Sequence, residues 1–129
     1  MTALRLGSGS PYEEIVGYCR VVVVGDTAWV SGTTATEDGA VSHPGDAAAQ
    51  RKDLVPLIPR QLGASLWTRP VVRTRMYVTD IRRWEEVGRV HGEFFADVRP
   101  ATSMVQVAAL IDPDMLVEVE ADAVRGAGA

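Results

Sequence analysis

The chain has little of what most metal-dependent and covalent enzymes need: one cysteine, one lysine and two histidines among 129 residues. Cys19 alone cannot form an internal disulfide, and His43 and His91 lie too far apart in sequence to form a metal-binding cluster with it. Lys52 lies in a charged segment that we expect to be exposed, which argues against Schiff-base catalysis. We therefore expect no structural metal and no cofactor.

The chain also lacks a basic patch and a long apolar run. Its 13 Lys and Arg are scattered and outnumbered by 17 Asp and Glu, giving a net charge of −4. A nucleic-acid-binding surface needs clustered positive charge. The longest apolar candidate, Val21 to Val24, is far shorter than the ~20 residues of a membrane-spanning helix. The first ten residues, MTALRLGSGS, do not resemble a secretory signal. We expect a cytoplasmic protein whose partners are neither nucleic acids nor membranes.

Length and composition indicate one domain over residues 1–129. The chain is 47% hydrophobic and 23% charged, which is typical of a globular domain with its own core.

The N-terminal third predicts β-structure. Leu4 to Leu6 fits a short edge strand, and Gly7 to Pro11 a flexible connection. The runs CRVVVV and TAWVSGTT flank Gly25-Asp26. Two β-rich runs around a two-residue Gly-X pair predict a hairpin.

A helix is predicted next. Asp46 is placed to cap the segment AAAQRKDLV. Pro56 and Pro59 follow, and a proline inside a regular helix costs about 3 kcal/mol or more. We expect a kink or a break near Val55.

The following segments predict a strand and a second helix. In Val71 to Val78 one face holds Val72, Thr74, Met76 and Val78, and the other holds Arg73, Arg75 and Tyr77. Asp80 can cap a helix that runs to about Ala96. Its apolar stripe comprises Trp84, Val87, His91, Phe94 and Phe95. A packed His91 is favoured over a ligand-binding one.

The C-terminal stretch predicts an antiparallel pair. Ser103 to Leu110 and Leu116 to Ala121 are strand-like and are joined by the turn-forming sequence Asp-Pro-Asp at residues 112–114. Glu118 and Glu120 point to one face of the last strand and apolar residues to the other. Two interpretations stay open: a solvated strand face, or the carboxylates of a cleft.

This order of elements predicts an α+β fold, a mixed sheet with helices over one face. The other face carries bulky residues such as Trp29 and Tyr77. Burial of that face by further copies of the chain, in a closed cyclic oligomer, would cover it.

Four segments closely resemble the reactive intermediate deaminase family, the YjgF-like or Rid (RidA-like) proteins: GYCRVVVVGDTAWVSGTTA, VVRTRMYVTDIRRWEEVGRVHGEFF, RPATSMVQVAAL and VEVEADAV. The resemblance covers nearly the whole chain. It implies a chorismate-mutase-like α+β fold, with a mostly antiparallel sheet and two helices on one face. It also implies a homotrimer with small-molecule clefts between subunits. Characterised members hydrolyse reactive enamines and imines, such as 2-aminoacrylate, to 2-keto acids and ammonia.

Four site positions match what this resemblance implies. The family's cleft tyrosine falls on Tyr18, its strand-end serine and glycine on Ser31 and Gly32, and its water-positioning glutamate on Glu118. A protonated imine carbon is already electrophilic, so a positioned water, a carboxylate and hydrogen-bond donors suffice for hydrolysis.

Two further positions, Thr102 and Gly88, depart from the family pattern, and Met104 lies next to the first of them. The arginine that grips the substrate carboxylate in deaminating members is Thr102 here, so a bidentate charge-assisted pair is lost. A position that is asparagine in some members falls on Gly88. Met104 offers the cleft only its backbone N–H.

These departures leave three hypotheses. The first is a hydrolase of imines or enamines. Its substrate either lacks the usual carboxylate or has a carboxylate that the protein binds in a different way. The second is a non-catalytic metabolite-binding or interaction protein. The third is a cleft recruited to a different condensation or elimination in a specialised biosynthetic pathway. The ribonuclease role described for some relatives ranks below all three because the net charge is negative.

Overall fold

The computed structural model describes residues 2–56 and 71–126. Within them the strands are β1 (Leu4–Leu6), β2 (Val21–Val24), β3 (Thr27–Thr34), β4 (Thr36–Glu37), β5 (Ala40–Val41), β6 (Val71–Val78), β7 (Ala101–Gln106) and β8 (Val117–Val124). The helices are α1 (Pro11–Val16), α2 (Ala47–Leu54) and α3 (Trp84–Phe95), and a 3-10 turn (Ile81–Arg83) precedes α3. No helix in the described ranges is long and apolar enough to cross a membrane.

Six strands form one sheet in the order β1-β2-β3-β8-β6-β7, and β4 pairs with β5 separately. Only β6 and β7 run parallel in that sheet. The predicted hairpin is confirmed, because Val24 pairs with Thr27 across the Gly25-Asp26 turn. The mixed, mostly antiparallel sheet is confirmed as well.

The predicted C-terminal antiparallel pair is wrong. Strand β8 lies between β3 and β6, whereas β7 pairs in parallel with β6 at the sheet edge. A turn sequence reverses the chain direction, but it does not choose the partner when residues 107–116 separate the two strands. The pattern of β8 fits a central strand, since Val117, Val119, Ala121 and Ala123 are all fully buried.

Helices α2 and α3 cover one face of the sheet, which confirms the predicted layer. Asp46 caps α2 by accepting a hydrogen bond from Ala49 N at 3.0 Å. The helix ends at Leu54, just before Val55 and Pro56, as predicted. Pro59 lies outside the described residues. The core between the layers joins the inward residues of the sheet to buried residues of the helices, which are Ala47, Leu54, Val87 and Phe95.

Helix α1 was not predicted, since residues 7–11 were interpreted as a flexible connection. Ser10 caps it, Pro11 is its first residue, and the Glu13 carboxylate reaches back to the Ser10 backbone. The hydrogen bond from the Ser8 hydroxyl contributes most to lowering the pKa of Glu13. A serine followed by proline and, three positions after the serine, by glutamate is a capping-box signal. The sequence therefore contained the evidence for this helix.

Two predicted faces are partly wrong. A register irregularity between Val71 and Arg73 turns Val72 outward, so the predicted inner face holds only from Thr74 onward. On α3, Trp84 and Phe94 are exposed. His91 is packed, as favoured: its Nε2 lies 2.8 Å from Thr74 Oγ1, and burial, reinforced by the positive charge of Arg51, lowers its pKa to about 4.

Candidate active-site cleft

A cleft of about 460 Å³ opens on the sheet face that the helices leave uncovered. Its lining residues come from the segment before β2, from β3, β6 and β8, and from the chain after β7. They are Tyr18, Gly32, Tyr77, Val107, Ala109, Leu110, Glu118 and Glu120. Three of the predicted site residues, Tyr18, Gly32 and Glu118, therefore meet in one cleft. The cleft interpretation of the paired carboxylates is the one that the geometry supports.

Glu118 is the half-buried carboxylate of this cleft. It lies on β8, directly opposite Tyr77 of β6 and Thr34 of β3. Burial raises its pKa, the nearby Glu120 carboxylate raises it further, and Arg20 opposes both effects. Among the described residues no group donates a hydrogen bond to its carboxylate. Its oxygens are thus available to a water molecule or a ligand.

Gly32 makes room for that carboxylate. A Cβ atom added at Gly32 would lie 2.7 Å from Glu118 Oε1 and 2.8 Å from Cδ, closer than real Cβ atoms approach. The glycine is therefore needed at this position for close packing, because any side chain would displace the carboxylate.

Glu120 has a different environment in the same cleft. Its Oε1 accepts a hydrogen bond from the Tyr77 hydroxyl at 2.7 Å and lies 3.6 Å from Nη1 of Arg75. The hydrogen bond to Glu120, followed by burial, raises the pKa of Tyr77. Arg75 also pairs with Asp122 at 3.3 Å. The described residues contain no group of three or more His, Cys, Asp or Glu arranged to hold a metal ion.

Arg20 is a site residue that the sequence analysis missed. It is 9% exposed, and its Nη1 donates to Gly32 O and, at 3.2 Å, to Thr33 Oγ1. Its Nη2 donates to the Tyr18 hydroxyl at 3.3 Å, and the guanidinium lies 5.6 Å from the Tyr18 ring centroid. Residues two apart in an extended segment share a face, so the spacing of Tyr18 and Arg20 was the available signal.

Ser31 does not line the cleft. Its hydroxyl donates to Cys19 O at 2.7 Å and its backbone N–H to Arg20 O at 2.9 Å. The side chain that was predicted to bind substrate instead ties β3 to the segment before β2.

Thr102, Met104 and Gly88 lie on the helix-covered side. Thr102 Oγ1 is 2.8 Å from Oγ1 of the buried Thr74, and a Cβ added at Gly88 would lie 3.9 Å from Met104 Cε. Within one chain, the structure therefore separates these three predicted positions from the cleft that contains Tyr18, Gly32 and Glu118.

Residues 10–125 match the family described as Endoribonuclease L-PSP. The chain belongs to this family, which is also the YjgF/Rid family. The family resemblance of its sequence segments is thereby confirmed.

Two curated relatives span almost the whole chain. An uncharacterised protein of Streptomyces coelicolor is 39% identical over 124 residues, covering 95% of this chain and 92% of the relative. The 3-aminoacrylate deaminase RutC of Acinetobacter baylyi is 31% identical over 118 residues, covering 88% and 90%.

Solved structures of the family share the fold. A YjgF/YER057c/UK114 family member from Mycobacterium tuberculosis has a TM-score of 0.84 and 48% identity, with 95% of this chain and 99% of that chain covered. The YjgF gene product of E. coli has a TM-score of 0.75 and 28% identity, with 94% and 93% covered. The mixed α+β fold is thus that of the YjgF-family structures.

Proposed function

We propose that this chain is a hydrolase of reactive imines or enamines, which it converts to carbonyl compounds and ammonia. The observation that carries the proposal is Glu118: a half-buried carboxylate in a cleft with two tyrosines, with no described donor bound to it. The 31% identity to a protein named 3-aminoacrylate deaminase supports the same class of reaction.

The proposed chemistry uses water as the nucleophile. Glu118 orients a water molecule and takes its proton while the oxygen attacks the carbon of the protonated imine. Glu118 then gives that proton to the carbinolamine nitrogen, and as the C–N bond breaks and ammonia leaves, the Glu118 carboxylate takes the hydroxyl proton and the carbonyl forms. The Tyr18 hydroxyl and the Gly32 backbone N–H hold the substrate during these steps.

We propose a substrate without the usual carboxylate. The cleft is lined by the carboxyl groups of Glu118 and Glu120, and no basic side chain lines it in the described part of the chain. Arg75 is already engaged by Glu120 and Asp122. A substrate carboxylate would be repelled by these carboxylates, and it would lack the bidentate pair with a guanidinium that binds it in the deaminating relatives.

We further propose a chorismate-mutase-like homotrimer in which the clefts lie between subunits. The uncovered sheet face carries large exposed apolar side chains, with Trp29 at 45% and Val105 at 46% exposure. Strand β7, which bears Thr102 and Met104, is an edge strand. A neighbouring subunit at this edge would bring these positions near another copy's Glu118. Light scattering that gives a stable 13.9 kDa monomer would contradict the trimer.

A keto-acid release assay with 2-aminoacrylate tests the proposal. We expect weak or absent turnover by the native protein. Thr102→Arg should raise turnover mainly through a lower KM, and adding Glu118→Ala should abolish the gain. Strong native turnover that Glu118→Ala leaves unchanged would contradict both the role of the missing arginine and that of Glu118. Tight ligand binding without any turnover would favour the binding-protein hypothesis.

A further inference from the structure

The Arg20 guanidinium binds two cleft residues, Tyr18 and Gly32, and the neighbouring Thr33. Its donors reach Gly32 O, Thr33 Oγ1 and the Tyr18 hydroxyl, and its Cζ lies over the Tyr18 ring, 5.6 Å from the centroid. A guanidinium has several donors in a fixed planar arrangement, so a single side chain can hold all these groups at once. Burial of Arg20 to 9% exposure keeps these interactions away from solvent.

The direction of the bond to Tyr18 has a chemical consequence. Arg20 can only donate, so the Tyr18 oxygen is the acceptor at 3.3 Å. The phenolic proton of Tyr18 is therefore free to point elsewhere, and the hydroxyl becomes a donor toward whatever occupies the cleft. Without Arg20, the hydroxyl could equally accept a hydrogen bond from water or from the ligand.

Arg20 also acts on the Gly32 segment and on Glu118. By holding the carbonyl of Gly32 it fixes the backbone that packs against the Glu118 carboxylate. Its positive charge favours the ionised form of Glu118, while burial and Glu120 favour the protonated form. Glu118 faces Glu120 on its own strand and Tyr77 on β6, and among the described residues Arg20 is the cation that offsets them.

We propose that Arg20 is a positioning residue of this cleft, which fixes the Tyr18 hydroxyl as a hydrogen-bond donor to the ligand and holds Glu118 ready as a base. The inference deepens the proposed imine hydrolysis and rests on it. A purely structural Arg20 would affect stability alone.

The first test needs no turnover. Carboxyl ¹³C NMR of Glu-labelled protein follows the titration of Glu118, which a spectrum of Glu118→Gln assigns. We expect Arg20→Met to move the Glu118 titration to higher pH, and Arg20→Lys to move it back toward the wild-type position because the charge returns. Arg89→Met is the control. It removes one positive charge from the exposed Arg89–Glu85 ion pair on α3 and should leave the Glu118 titration unchanged. Equal titrations in wild type and Arg20→Met would overturn the proposal.

The second test is kinetic, on an imine that the wild type hydrolyses. Arg20→Met should lower kcat about 10- to 100-fold and shift the acid limb of the pH profile upward. In a Tyr18→Phe background, Arg20→Met should lower kcat by a smaller factor, because the hydroxyl that Arg20 orients is gone. If the fold-loss in kcat of the double variant equals the product of the two single-variant losses, the link between Arg20 and Tyr18 is overturned. If the wild type hydrolyses no imine, the proposed function fails, while the NMR result still decides whether Arg20 controls Glu118.

Discussion

Substituting Gly32 by alanine should move the Glu118 carboxylate without unfolding the protein. The added Cβ would lie 2.7 Å from Glu118 Oε1, whereas ordinary contact begins at 3.4 Å. The carboxylate must therefore retreat by about 0.7 Å. A misplacement of about 1 Å in a catalytic group can cost about 100-fold in rate, so we expect kcat to fall about 10- to 100-fold.

Stability should change little, because the contacted atoms are the end of a flexible side chain and Gly32 needs no left-handed backbone. We expect the free energy of unfolding, measured in urea, to change by less than about 1 kcal/mol. Gly92→Ala is the matched control, because apart from the backbone of α3 itself no atom of the described residues lies within 4 Å of the added Cβ. The free energy of unfolding of Gly92→Ala should rise by about 0.5–1 kcal/mol, and its kcat should stay at the wild-type value. Full activity in Gly32→Ala would refute the requirement for a precisely placed Glu118.

Three further predictions concern stability. The folded-state pKa of Glu118 is raised from 4.5, so stability from its protonated form is present below about pH 4.5 and is lost as the pH rises through the folded pKa. The melting temperature of Glu118→Gln should therefore rise relative to that of the wild type as the pH increases from about 4.5 through the folded pKa, and a difference that stays constant with pH would contradict this. Leu54→Ala, at a fully buried position, should lower the free energy of unfolding by about 2–5 kcal/mol in urea titrations. Arg51→Met should raise the free energy of unfolding by about 1–3 kcal/mol, because the buried guanidinium has no hydrogen-bond partner in the described part of the chain. A lower free energy of unfolding in Arg51→Met would contradict this and would reveal a partner elsewhere.

Local patterns in the sequence predicted most individual elements. The β2–β3 hairpin, the Asp46 cap and the alternation of β8 depend on residues within a few positions of one another, and all three are present. The order of the strands could not be predicted in this way. The pairing of β8 between β3 and β6 depends on distant segments, and the turn after β7 constrains only its own residues.

The site was predictable to a similar extent. The family resemblance located Tyr18 and Gly32, the resemblance and the strand spacing both indicated Glu118, and all three residues meet in the cleft. The opposite orientation of Thr102 depends on the parallel register of β7 against β6, where it pairs with Thr74. The role of Arg20 depends on its contacts with Gly32 of β3 and with Tyr18, and the two-residue spacing from Tyr18 was the sign of it in the sequence.

The central claim is that Glu118 activates water for attack on an imine. The most direct measurement is the initial rate of carbonyl release from a carboxylate-free imine, generated in situ by an amine oxidase, with wild type and Glu118→Gln. We predict hydrolysis well above the buffer rate for the wild type and a loss of about 100-fold or more in the variant. A wild-type rate equal to the buffer rate, or an equally active Glu118→Gln, would contradict the claim.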